Sequence, residues 1–312
     1  MRTIHVGSRK SKLALVQSGQ VIAQLKETCK DLAFMIEHIV TRGDRILDVT
    51  LSKVGGKGLF VKEIERSLLD GQIDFAVHSM KDMPAVLPEG LEIAAIPVRE
   101  DPADVLVSIS GSSLSELPEG ARIGTSSLRR ASQLRHIRPD LRIIDLRGNV
   151  DTRLAKLQAG NYEAIILAAA GMNRLGVAAN GMDLPPSLML PAVGQGALAI
   201  ECRKSDEDLK KRLSRINDPA TMMTVRAERA FLKRLNGGCQ VPIAAYCRQD
   251  GDNGLSLTGL VASADGQRLL RTTETGHDPE ALGIGTAEHL LAEGAGEILA
   301  ELLGAEWNSD DR

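Results

Sequence analysis

Two stretches of this chain echo each other, and they set the fold before any single residue does. "HVGSRKSKLALVQ" (His5–Gln17) and "RIGTSSLRRASQL" (Arg122–Leu134) each run as a short apolar strand pattern, a glycine, hydroxyl residues, and then a helical pattern carrying bases. A second pair, "GQIDFAV" (Gly71–Val77) and "GNYEAII" (Gly160–Ile166), places an acid three residues after a glycine in both copies. A chain that repeats a strand–turn–helix plan in this way forms two similar α/β lobes with a cleft between them.

Strand and helix patterns alternate through about residue 215, which predicts mostly parallel, doubly wound sheets. In the first block the strands are Thr3–Val6, Phe34–Val40, Ile73–His78 and Leu91–Val98, with helices at Ser11–Glu27 and Gly58–Leu69. In the second they are Arg122–Gly124, Arg142–Leu146 and Glu163–Ala169, with helices at Ser127–His136 and Val150–Gln158. Glu100–Ala103 and Leu190–Gly196 read as crossings between the lobes, after which Ala197–Cys202 returns to the first as a strand. From about Asp218 the order becomes a helix, strands at Ala244–Arg248, Leu255–Ala262 and Arg268–Thr273, and a helix at Ala281–Leu302. That order predicts a small α+β domain with an antiparallel sheet. The expected domains are 1–99 with 197–216, then 100–196, then 217–312.

Composition narrows the function classes. The 312 residues give room for two or three cores, and 43% hydrophobic with 25% charged residues is ordinary for a globular protein. With no N-terminal apolar stretch and no run of roughly 20 apolar residues, a cytoplasmic protein without a signal peptide is expected. A net charge of -3 and 2% aromatic residues leave little for binding nucleic acid. The four cysteines are scattered, with no C-x-x-C pair, so neither a zinc cage nor a disulfide framework is expected.

The strongest charge feature is residues 122 to 156, with nine Arg/Lys against three Asp. It is either a solvated basic face or an anion receptor. The second reading is favoured because Arg129, Arg130, Arg147 and Arg153 fall at strand-to-helix turns, beside the hydroxyls of Thr125, Ser126 and Ser127. The first lobe offers Arg9 with Ser11, and Lys53 and Lys57 around "KVGGKGLF". That glycine run lacks the Ser/Thr of a P-loop, and "GQGALA" (Gly194–Ala199) follows no strand-to-helix unit, so neither is read as a nucleotide site. Asp82, in "AVHSMKDMP", is either a turn former or the single anion steadying a cationic intermediate. His78 reads as a packed or hydrogen-bonded strand residue. Cys239, in "NGGCQVP", lies past a helix stopped by Gly237–Gly238, where the helix dipole opposes a thiolate. It is either a small loop residue packed under the third domain or a thiol modified once, and is poorly suited to a cycling nucleophile.

Taken together, "VTRGD", "VGGKGLFVKEIE", "DFAVHSMKDMP", "REDPADVLVS", "GTSSLRRASQL", "LRGNVDTRLAKL", "AIILAAAGMNRLG", "LPAVGQGALAIECR" and "NGGCQVPIAAY" resemble the porphobilinogen deaminase family of tetrapyrrole biosynthesis. The resemblance implies two periplasmic-binding-protein-like lobes and a third domain. It implies a transferase that joins four porphobilinogen molecules head to tail, releasing ammonia through an azafulvene, and then frees hydroxymethylbilane by hydrolysis. It also implies a dipyrromethane cofactor on a thioether to Cys239. Asp82 matches the catalytic aspartate. Lys81, Asp82, Thr125, Ser126, Ser127, Arg129, Arg130, Arg147 and Gly148 would meet the cofactor. Arg9, Ser11, Lys57, Arg147, Arg153 and Arg174 would meet substrate carboxylates. No metal or nucleotide is implied, and a monomer is. Lys12 departs from the family's usual proline at that position. The rival readings are a non-catalytic bilobal module for a small anion and, less well supported, a nucleotide-dependent transferase.

Overall fold

The computed structural model describes residues 2–45, 61–238, 241–251 and 254–303. The first lobe opens with β1 (Arg2–Ser8), α1 (Lys12–Thr28) and β2 (Leu32–His38), with β2 parallel to β1. Helix α1 starts where the Ser11 side chain accepts from the Ala14 N–H. It buries Ala14, Gln17, Ser18, Val21, Ile22 and Leu25, three to four residues apart, against the sheet. A one-turn helix α2 (Arg42–Arg45) and then α3 (Lys62–Leu69) lead to β3 (Phe75–Ser79), which lies parallel to β1 on its other side. β4 (Leu91–Ala95) ends this first pass.

The second lobe repeats the plan with β6 (Arg122–Gly124), α4 (Leu128–Ile137), β7 (Arg142–Ile144), α5 (Val150–Gln158) and β8 (Ala164–Ala168). Ser127 caps α4 and Asn149 caps α5. The echoed acids do the same work in both copies. Asp74 accepts the His5 N–H at 2.7 Å, and Glu163 accepts the Arg122 N–H at 2.6 Å, each pinning the start of the neighbouring strand.

Both sheets are mostly parallel, as expected, with one strand in each running against the other four. Their orders are β2-β1-β3-β10-β4 and β7-β6-β8-β5-β9. β10 (Leu198–Arg203) runs antiparallel between β3 and β4, and β5 (Asp104–Ser108) antiparallel between β8 and β9 (Gly181–Leu184). These are the strands that follow the two crossings; a chain arriving from the other lobe enters its new sheet against the direction of the helix-connected strands. The sequence reading also lacked β5, β9, α6 (Ala169–Leu175) and α7 (Glu207–Leu213).

The third unit has β11 (Ile243–Asp250), β12 (Gly254–Ala262) and β13 (Leu269–Gly276) in an antiparallel sheet. It is covered by α8 (Pro219–Arg234) and α9 (Pro279–Leu290) around Phe231, Leu257, Val261 and Leu290. The single long C-terminal helix expected over Ala281–Leu302 is broken. A π-turn at Leu291–Ala295 with Gly294 at φ 100° separates α9 from α10 (Gly296–Leu303). Among the described residues no helix is long and apolar enough to cross a membrane.

The crossings run side by side, with the Glu100 N–H donating to the Gly196 carbonyl. At Gly196 (φ 89°) a Cβ would run into the Glu100 carbonyl oxygen, so only glycine lets the two segments touch. Glu228 of α8, fully buried, fastens them to the third unit. It pairs with Arg99 at 2.6 Å and accepts the N–H groups of Gly194 and Cys247.

Candidate active site

β3 ends in a single 3-10 turn, Met80–Asp82, stopped where Met83 turns extended ahead of Pro84. That turn puts Asp82 at a pocket also lined by Arg9, Ser11, Gln17, His78 and Ser79. Gln17 donates to the Ser79 hydroxyl at 2.9 Å, fixing the strand end. Arg9 is paired with Asp44 at 2.5 Å. Burial pushes the Asp44 carboxyl up, but its hydrogen bonds from Arg9 and Thr41 outweigh this and hold it below its ordinary range.

The second lobe supplies cations, in a form the sequence did not show. Arg129 and Arg130 lie in the first turn of α4, yet both guanidinium groups are buried and converge on one carboxylate, Asp104 of β5, at 2.7 Å each. Burial pushes the Asp104 carboxyl up, and the two guanidinium groups more than reverse this, holding it well below the usual carboxylate range. The neighbouring hydroxyls shape the loop: Ser126 exchanges hydrogen bonds with the Leu146 backbone, Thr125 accepts the Ser127 N–H, and Ser127 caps α4. The basic run is therefore not one face. Arg122 pairs with Glu163, Arg138 with Asp140, and Arg135 donates to the Ala264 carbonyl of the third unit.

Arg147 and Arg153 bracket the start of α5. Gly148 between them sits at φ 117°, where a Cβ would strike Thr152. Nε and Nη2 of Arg147 are buried with no hydrogen-bond partner among the described residues, as is Nε of Arg129. Arg153 is brought down to about 10 by burial and by the charges of Arg130 and Arg147, with Asp82 opposing. Lys81 is brought down to about 8 by burial and by Arg130, again with Asp82 opposing. These mutual effects place Lys81, Arg130, Arg147 and Arg153 in one electrostatic neighbourhood with Asp82. Arg174, at the end of α6, donates to the Gly196 carbonyl at 2.8 Å and so holds the crossing.

Asp104, Gln195, Gln17, Asp44 and Ser79 were not singled out in the sequence. Gln195 donates to Asp104 at 2.9 Å and accepts from Lys81 at 3.4 Å, joining the two lobes' charges through the crossing. The only sequence signals were an acid at the head of the apolar run "DVLVS" and a polar residue held between two glycines.

Cys29, Cys202 and Cys247 are buried thiols. Burial pushes Cys202 and Cys247 up to about 12, too high for a nucleophile at neutral pH. Cys239, Lys53 and Lys57 lie outside the described residues. The end of α8 before Cys239 is described and corrects the expected stop. The left-handed residue is Asn236 (φ 48°), and Gly237 donates back to the Leu232 carbonyl while Asn236 donates to that of Lys233.

A carboxylate on one lobe and buried arginines on the other, joined by two hydrogen-bonded crossings, define a two-lobed α/β protein whose site is rich in buried cations. Comparison gives the particular family. Residues 4–211 match the model for "Porphobilinogen deaminase, dipyromethane cofactor binding domain", and residues 222–292 the model for "Porphobilinogen deaminase, C-terminal domain". The chain is 58% identical over 299 residues to the porphobilinogen deaminase of Brevibacillus brevis, covering 96% of this chain and 97% of that one. It is 58% identical over 301 residues to that of Bacillus subtilis, covering 96% of each. It belongs to the porphobilinogen deaminase family. Among solved structures, a probable amino-acid ABC transporter extracellular-binding protein from Bacillus subtilis is 12% identical, with a TM-score of 0.43 over 68% of this chain and 89% of that one.

Proposed function

We propose that Asp82 is the reaction centre of this enzyme, that Cys239 anchors its cofactor, and that Lys81, Arg129, Arg130, Arg147 and Arg153 hold the carboxylates of cofactor and growing product. The chain is a transferase of tetrapyrrole biosynthesis that polymerises porphobilinogen and carries a dipyrromethane cofactor. A pyrrole with acetate and propionate arms adds two negative charges per ring, so a growing chain needs cations already in place. The observation that carries the assignment is Arg147, whose Nε and Nη2 are buried donors with no acceptor among the described residues. Such donors cost about 1–3 kcal/mol each unless something accepts from them, and a carboxylate is the acceptor a guanidinium fits best. The site residues therefore suit a polycarboxylate cofactor. When bound, the cofactor supplies the pyrrole end onto which units are added.

Asp82 does the electrostatic work. As ammonia leaves a porphobilinogen unit, positive charge develops on the ring. A half-buried carboxylate stabilises that charge and accepts from the pyrrole N–H. Lys81, Arg130 and Arg153, which share the electrostatic neighbourhood of Asp82, hold the acidic arms away from it. Arg9 and Ser11 border the same pocket and receive the incoming unit's arms, with Arg174 and Lys57 completing the set. The domains run 1–99 with 197–216, 100–196 and 217–312, and the enzyme acts as a cytoplasmic monomer without nucleic acid. Changing Asp82→Asn tests the centre. Turnover should fall by about 10²–10³-fold, the loss expected for one electrostatic stabiliser, while the cofactor remains attached. Near-normal turnover would remove Asp82 from the role.

A further inference from the structure

Behind the Asp82 pocket, on the face of the first sheet covered by α3, lies a second set of ionisable groups that the assignment above does not use. Glu201 of β10 stands opposite Ala76 of β3, and His78 opposite Ala199. The two small residues leave a diagonal gap across which Glu201 Oε2 meets His78 Nε2 at 3.0 Å. A register shift in the β10–β4 pairing falls between Ile200 and Glu201, next to the group being aimed. Glu65 approaches from α3. All three side chains are buried, Glu201 at 0% exposure, and one oxygen each of Glu65 and Glu201 has no hydrogen-bond partner among the described residues.

A buried carboxylate oxygen left without a hydrogen bond is costly and calls for a reason to be there. His78 joins this cluster to the reaction site, because it also lines the pocket that holds Asp82, four residues further along the same strand end. We propose that Glu65, His78 and Glu201 form a positioning assembly for that strand end, in which the Glu65 carboxyl sets how firmly His78 is held. The proposal rests on Asp82 being the reaction centre.

The charges facing the cluster are few. Glu65 is pushed up to about 7 by burial and by Glu201, with His78 and Lys62 opposing. Arg229 of α8 feels the charge of Glu201 while it donates to the carbonyls of Pro84 and Ala85, just beyond Asp82. Below about pH 7 Glu65 is neutral and leaves the imidazole of His78 to its hydrogen bond with Glu201. Above it an anion appears beside the same imidazole, and His78 loses its unique partner.

The sign for stability follows. Between the ordinary value of 4.5 and about 7, folded Glu65 keeps a proton that the unfolded chain releases, so stability falls as pH rises through that window and levels off above it. The test is the pH dependence of kcat for porphobilinogen consumption and of thermal unfolding, for the purified holoenzyme and its Glu65→Gln and Glu201→Gln variants. Glu65→Gln should match the wild type near pH 6, remove the step in kcat near pH 7, run faster than wild type above it, and lose the stability slope. Glu201→Gln should lower kcat by about tenfold with KM changed less than about twofold. Parallel wild-type and Glu65→Gln profiles would overturn the proposal, and so would an unchanged kcat in a folded Glu201→Gln. If that variant does not fold, the Glu65→Gln profile decides alone. A fully active Asp82→Asn would instead defeat the reading of the reaction centre and leave the step near pH 7 intact.

Discussion

The two lobes share a strand order and yet end their third strands differently. β3 gives a three-residue turn cut short ahead of Pro84, which presents Asp82. At the same place β8 runs directly into α6, two turns long, which presents Arg174. Their ion pairs differ as well. In the first lobe Arg9 meets Asp44 one to one and half-buried. In the second, Arg129 and Arg130 share the single carboxylate of Asp104 and leave an uncancelled positive charge in a buried wall. One architecture thus yields an anion from one copy and a cation excess from the other. A reaction that develops positive charge on a ring carrying negative arms needs both.

The comparison can be broken at several places. The largest expected effect is that of Asp82→Asn on turnover. Next is Asp104→Asn, which leaves two buried guanidinium groups without their anion. Unfolding should become easier by about 3–5 kcal/mol, the cost of breaking a buried pair from one side, and a change under about 1 kcal/mol would mean the pair is not the keystone of the second lobe. The smallest effect should be the most symmetrical. Ser11→Ala and Ser127→Ala remove equivalent helix caps and should each cost about 1 kcal/mol in thermal or denaturant unfolding. A large loss in only one of them would show that the repeated stretches are alike in letters and not in load.

Much of the framework was legible because it is local. The glycine, hydroxyl and helix sequence of each repeat specified β1–α1 and β6–α4, and Ser11 and Ser127 became caps as such residues do. β5 was hidden because "DVLVS" is buried on both faces and carries no alternation, and β9 because a four-residue edge strand has no period to detect. α6 follows β8 without a loop, so the strand was read over Glu163–Ala169 and the helix that continues from it was missed. In the site, the arginines were visible as helix-start cations, but their anion lay 25 residues away in a different strand. The His78–Glu201 pair spans 123 residues and exists only through the antiparallel return of β10. The C-terminal helix broke at Gly294, whose left-handed backbone no helical periodicity reports.

The central claim is that this chain builds its product on a primer tethered to Cys239. Intact mass spectrometry of the denatured protein tests it most directly. The wild type should be heavier than its sequence by two linked pyrrole units, with the added mass on the peptide containing Cys239, and Cys239→Ser should have its sequence mass and no turnover. A wild type that is fully active at its unmodified sequence mass would contradict the account.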